Sequence, residues 1–183
     1  MAWSKRPLPA QQERSSNQKQ AAEKAVAWLT VRDHSSQQLY DKLRRRYTDE
    51  VSAAVVADMI DRGYLSDERF AQGKARSLYR QHRSRRAILQ TLTEKGVPRT
   101  LAAQTVDALF AEMEQQLADR AEWDEEETIL DPETASALAL IEKNYKRKLQ
   151  AGRTDLVMAA LQRRGFSYRA AKAALAAVRQ QDE

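Results

Sequence analysis

The side chains of this chain best suited to chemistry are thirteen cations in three groups. They are Arg44, Arg45 and Arg46; Arg80, Arg83, Arg85 and Arg86; and Lys146, Arg147, Lys148, Arg153, Arg163 and Arg164. The chemistry they offer is anion binding, since a guanidinium presents a planar fork that takes a phosphate or carboxylate bidentately. Cations at a helix C-terminus also serve simply to answer the helix dipole. That explains Arg44–Arg46 and Arg163–Arg164, which follow the apolar positions of their helices. It does not explain Arg83, Arg85 and Arg86, which flank Ser84 at a helix start, where positive charge is unfavourable. Those three make the strongest case for function.

Other chemistries find little footing. There is no Cys, which excludes disulfides and thiolate metal sites. His34 and His82 lack metal-ligand spacing, and each precedes the second helix of a unit, which fits a turn or interface role better than catalysis. Gly63, Gly96, Gly152 and Gly165 are isolated at helix ends rather than gathered in a phosphate loop. The run Asp124 to Glu127 lacks the spaced oxygen ligands and turn Gly of a calcium loop and reads as a solvated acidic stretch. No catalytic residue, cofactor or metal ion is therefore expected. Aromatic residues make up 7% and fall mostly at inward positions, leaving few stacking platforms for single strands. Only Arg85 and Arg86 lie where a recognition helix would offer base contacts. Nucleic acid, if bound, would be held by its phosphates, with little choice of sequence.

The charge is uneven. Residues 112–133 hold ten acids against Arg120, a local −9, so the formal +5 leaves +14 on the rest of the chain. A basic body with one acidic connector points to an anionic partner, nucleic acid or an acidic protein groove. The N-terminus has Lys5 and Arg6 but no apolar signal region, and no stretch nears the roughly 20 apolar residues of a membrane span. A soluble, cytoplasmic protein without membrane contact is expected.

Elements follow from spacing. Leu39 and Leu43 stand four apart after Ser35-Ser36; Ile88 and Leu92 repeat the pair 49 positions on, and Val157 and Leu161 another 69 on. Tyr47, Gly96 and Gly165 follow four residues later, where each helix would end. Such recurrence marks a repeat architecture. Ser35 with Gln38 forms a capping-box pattern, and Leu65 with Phe70 has staple spacing around Ser66. Pro98 suits a first helical turn, and Asp131-Pro132 reads as an N-cap followed by Pro at N1. Inward stripes are predicted at Ala22, Ala25, Val26 and Leu29; at Val51, Val55, Met59 and Ile60; and at Leu138, Ile141, Tyr145 and Leu149. With no period-two alternation, the reading is all-α, an extended array of three tandem three-helix repeats. Residues 1–18 are a flexible arm, 19–63 repeat one, 64–118 repeat two, 119–131 an acidic connector and 132–183 repeat three.

The stretch GYLSDERFA from Gly63 to Ala71, with SSQQLYDKLRRR before it and RRAILQTLTEKGV after it, closely resembles the RecX family of recombination regulators. The likeness covers roughly residues 20–110, and residues 135–180 more loosely. Physically the motif is a joint: Gly63, Tyr64, Leu65, Asp67 and Phe70 would end one unit and clamp the next. The resemblance implies a non-enzymatic modulator of the RecA recombinase, built of three-helix repeats. Such a protein binds the RecA–DNA filament and inhibits its ATPase, strand-exchange and coprotease activities in recombinational DNA repair and the SOS response. On that implication the thirteen cations would contact RecA, nonspecifically held DNA, or both, from a monomeric protein. The alternative is a sequence-nonspecific DNA-binding protein acting on single- or double-stranded DNA directly.

Overall fold

A computed structural model describes residue 10, residues 14–121 and residues 130–181, the last residue of each of the two long stretches by backbone alone. Ten helices and no strand are found among them. The helices are α1 Gln18–Val31, α2 Ser36–Leu43, α3 Asp49–Asp61, α4 Asp67–Tyr79, α5 Arg85–Glu94, α6 Arg99–Ala121, α7 Pro132–Asn144, α8 Lys146–Gln150, α9 Thr154–Arg163 and α10 Tyr168–Gln181. The fold is an all-α array of three-helix repeats. Helix starts follow short polar side chains that accept orphan backbone N–H groups. Asn17 accepts from Gln20, Ser35 and Gln38 form the reciprocal box, Thr48 accepts from Val51, and Asp131 accepts from Glu133 and Thr134 with Pro132 at the first helical position.

The chain divides into two compact units. The first holds Met1–Ala71 with Glu94–Val97, the second Gln72–Thr93 with Pro98–Glu183. In the first, α1, α2 and α3 enclose Ala21, Ala25, Leu39, Leu43, Tyr47, Val55, Val56, Met59 and Leu65. In the second, α7, α9 and α10 enclose Ala137, Leu140, Ile141, Tyr145, Val157, Leu161, Phe166, Ala171, Ala174, Leu175 and Val178. The paired apolar positions that recur in the sequence, Leu39/Leu43, Ile88/Leu92 and Val157/Leu161, are all fully buried.

One junction occurs twice, and it explains the glycines at the repeat period. In the first unit the Ser35 hydroxyl, which caps α2, donates to the Lys95 carbonyl at 2.5 Å. In the second, the Ser84 hydroxyl, which caps α5 through the Ala87 N–H, donates to the Arg164 carbonyl at 2.8 Å. The residue after each accepting carbonyl is a glycine in the left-handed region, Gly96 at φ +84° and Gly165 at φ +86°. A Cβ there would stand 2.3 Å from the Gln37 Cβ and 2.9 Å from the Ser84 Oγ respectively. The second and third repeats thus each end their second helix on the cap of the repeat before, at a distance only glycine permits.

Several elements differ from the sequence expectation. Arg14 to Asn17, assigned to the arm, are held. Ser15 forms a single bridge with Tyr47, and the Arg14 guanidinium, on a side chain 7% exposed, reaches Asp49 at 2.7 Å. Pro98 stands just outside α6, its carbonyl accepting from Ala102. The stripe through Leu149 is not one helix, because the backbone breaks at Tyr145 (φ −126°, ψ −3°), where the ring enters the core. Val26 and Ile60 lie on the outer faces of α1 and α3, 40% and 48% exposed. In the proposed joint, Leu65 and Phe70 are buried as the staple requires, whereas Tyr64 is 56% exposed. Asp67 accepts both the N–H and the hydroxyl of Ser36, at 2.7 and 2.6 Å. The acidic run Asp124 to Glu127 lies outside the described residues.

Candidate functional site

The thirteen cations divide into those the fold has already engaged and those it leaves outward. Arg44 follows α2, lies 5.5 Å over the Tyr40 ring and 3.6 Å from Asp49. Arg45 and Arg46 in the same turn are exposed. Arg85 is answered internally: its guanidinium reaches Asp107 at 2.5 Å and lies 5.2 Å over Phe110. That pair supplies the compensation for a cation at a helix N-terminus that local spacing does not reveal. Arg80, Arg83, Arg86, Lys146, Arg147, Arg153 and Arg163 are exposed, with no ion pair among the described residues.

The second junction is where cations converge. The turn after α4 places His82 in the left-handed region at φ 56°, a conformation His tolerates better than most residues. That turn sets Gln81, His82 and Arg83 along a cleft completed by Ser84, Leu140, Asn144, Arg164 and Phe166. Among the described residues no carboxylate lines it. The Arg86 side chain lies beside Gly165, its Cβ 3.5 Å from where a Cβ of that residue would stand. Tyr145 carries two further cationic contacts, with Arg164 at 5.3 Å and Lys148 at 5.6 Å from the ring centroid. The Arg164 guanidinium also donates to the Tyr145 hydroxyl. Arg83, Arg86, Arg164 and Lys148 therefore gather around one seam within the second unit.

Comparison of the two junctions separates scaffold from site. At the repeat period, Arg83, Arg86 and Arg164 correspond to His34, Gln37 and Lys95. The hydrogen-bond scheme is shared, while Arg83 and Arg86 add charge where His34 and Gln37 stand in the first junction. His34 is buried, its Nδ1 bonded to the Arg32 carbonyl at 2.9 Å and its Nε2 without a partner. Burial, aided by the nearby Arg32 and Lys42 charges, holds its pKa below the usual imidazole value. Lys42 sits 4.0 Å over the Trp28 ring. Gln81, Asn144 and Tyr145 complete the cationic seam; Gln81 and Asn144 carried no signal in the sequence, and Tyr145 showed only as an inward position, because a turn and a helix break bring them there.

Fold and seam define a class: an all-α three-helix repeat protein whose second junction gathers cations. Residues 21–59 match the family model described as RecX, first three-helix domain, and residues 66–106 match RecX, second three-helix domain. The chain belongs to the RecX family. It is 37% identical over 119 residues to a regulatory protein RecX of Myxococcus xanthus, covering 65% of this chain and 57% of that one. It is 32% identical over 112 residues to that of Amycolatopsis mediterranei, covering 60% and 64%. Against the Photobacterium profundum protein it is 37% identical over 95 residues, covering 51% and 34%. The matches thus span from about a third to under two thirds of these relatives' lengths. In fold, the chain is similar to the crystal structure of RecX from Lactobacillus salivarius, with TM-score 0.68 and 17% identity over 89% of this chain and 97% of that one. That likeness reaches the third repeat, which neither family model matches.

Proposed function

We propose that this protein is a regulator that binds the RecA–DNA filament and restrains RecA's ATPase, strand-exchange and coprotease activities in DNA repair and the SOS response, with no reaction of its own. Its family and the naming of its relatives as regulatory proteins support this reading. The observation that carries it is the gathering of Arg83, Arg164, Arg86 and Lys148 about a cleft that no carboxylate lines among the described residues. Guanidinium groups set this way suit the phosphates of filament-bound DNA or acidic side chains of the recombinase. The protein acts as a monomer in the cytoplasm; among the described residues no helix is long and apolar enough to cross a membrane.

Direct action on DNA is the second reading, favoured by the same absence of carboxylates. Salt separates the two. Binding to naked DNA should fall with a log–log slope of about −0.7 to −0.9 per phosphate contacted. Filament binding by the intact protein should persist at salt that abolishes binding to naked DNA, and Arg83→Ala with Arg86→Ala should weaken it. Equal salt sensitivity on filament and naked strand would favour direct DNA binding and remove RecA from the account.

A further inference from the structure

Positive charge does not account for everything in the cleft at the second junction. The cleft measures about 210 Å³, less than the roughly 300–1,000 Å³ of pockets that enclose a drug-sized molecule, which suits one ring system rather than several. All of its lining belongs to the second unit. Its floor is apolar, with Leu140 7% and Phe166 4% exposed. Its rim is amide and imidazole: Gln81 and Asn144 are exposed and His82 is half-buried. Arg83 and Arg164 stand at its edge, both exposed.

The hydrogen-bonding capacity of that rim is largely unspent. Among the described residues the side chains of His82, Arg83 and Asn144 make no hydrogen bond or ion pair. Gln81 uses only its Nε2, which donates to the Ser77 hydroxyl at 3.2 Å. His82 is also held where it costs. The His82 N–H donates to the Tyr79 carbonyl at 2.8 Å and the Arg83 N–H to the Leu78 carbonyl at 3.2 Å, a Schellman end to α4 whose left-handed position usually belongs to glycine. An imidazole kept there at φ 56° points to function rather than to packing. The first junction lacks the combination. At the repeat period His82, Arg83 and Phe166 correspond to Asp33, His34 and Val97, and there Asp33 brings a carboxylate while His34 is buried.

We propose that this cleft takes one unstacked nucleotide of a single DNA strand, its base over the Leu140–Phe166 floor and its phosphates on Arg83 and Arg164. An unstacked base rests on aromatic, imidazole or guanidinium planes, and its edge pairs with amide donors and acceptors such as those of Gln81 and Asn144. An acidic peptide would use the arginines and leave the floor and the amides idle. The proposal rests on the reading of the seam as a surface for filament-bound DNA and gives that surface a preference, for strands whose bases are free.

Fluorescence anisotropy of the full chain tests this with two labelled strands of equal length, an oligothymidylate and one made only of abasic deoxyribose phosphates. Their phosphates are equal in number, so their salt slopes should match. The thymidylate strand should nevertheless bind roughly ten-fold tighter, within what stacking one base contributes. His82→Gly, which suits the left-handed turn, and Asn144→Ala, at an exposed helix end, should each weaken thymidylate binding several-fold and leave the abasic strand's binding unchanged. Should His82→Gly lose helicity, Asn144→Ala decides. Equal affinity for the two strands, binding to neither, or variants that weaken both alike would overturn the proposal. So would displacement of the strand by low concentrations of thymidine monophosphate, which would assign the cleft to a free nucleotide. RecA's ATPase, measured with the same preparations, separates the site from the reading beneath it. Inhibition by a parent protein without base preference would sink the site and leave the regulator; base preference without inhibition would do the reverse.

Discussion

Ser84 serves two helix ends at once. Its oxygen accepts the Ala87 N–H at the start of α5, and its hydroxyl donates to the Arg164 carbonyl at the end of α9. Replacing it with Ala removes a cap, about 1 kcal/mol, and orphans a carbonyl, about 1–3 kcal/mol. Urea melts of Ser84→Ala should show a loss of roughly 2–4 kcal/mol, and a change below about 0.5 kcal/mol would mean that water replaces the bond freely. His34 gives a pH dependence of definite sign. Its pKa is lowered in the fold, so the unfolded chain binds the proton first as pH falls. The associated stability is fully present above the ordinary value near 6.5 and is lost as pH falls through the lower folded value. Denaturant melts between pH 7.5 and 5 should show a downward slope that shrinks in His34→Gln; an identical slope in the variant would exclude His34 as its source. At this scale sequence reasoning ran short where partners are distant. Arg85 looked free because Asp107 lies 22 residues away, and Arg14 looked like part of an arm because one cation among polar residues has no period.

Helices were the most legible level. The 3–4 spacing of apolar residues placed α2, α5 and α9, and the capping box at Ser35 and the Asp131–Pro132 start appear as read. What spacing could not supply was how much of each stripe is covered. Val26 and Ile60 continue their stripes yet face outward, because short helices in a small repeat bury only a narrow face. Nor did the period show the break at Tyr145, where a buried ring with two cations against it sits at a helix boundary. Two substitutions test the packing at this level. Phe70→Ala should cost about 3–5 kcal/mol, since the ring is 6% exposed. A loss below about 1 kcal/mol in denaturant melts would sink the staple between Leu65 and Phe70. Gly96→Ala should cost about 2–4 kcal/mol, from a left-handed φ of +84° together with a Cβ driven against Gln37. Near-neutral behaviour would show that the junction relaxes without loss.

Across the whole molecule, the repeat period carries the structural reading furthest. The same offsets that align the buried pairs also align the junction serines, the accepting carbonyls and the glycines. Against that common scaffold, Arg83 and Arg86 stand out as replacements of His34 and Gln37 that add charge, while Arg164 keeps the charge of Lys95 and adds a contact with Tyr145. The sequence revealed the cations and their anomalous place at a helix start. It did not reveal that Arg83, Arg164, Asn144 and Tyr145 would meet, since that depends on two turns and a helix break. The proposed action on the recombinase is tested most directly by RecA's ATPase on single-stranded DNA, measured with substoichiometric amounts of this protein and of its Arg83→Ala/Arg86→Ala variant. The account predicts that the parent protein lowers the rate and that the folded variant does so several-fold less effectively. An ATPase rate untouched by the parent protein, or lowered equally by both, would contradict it.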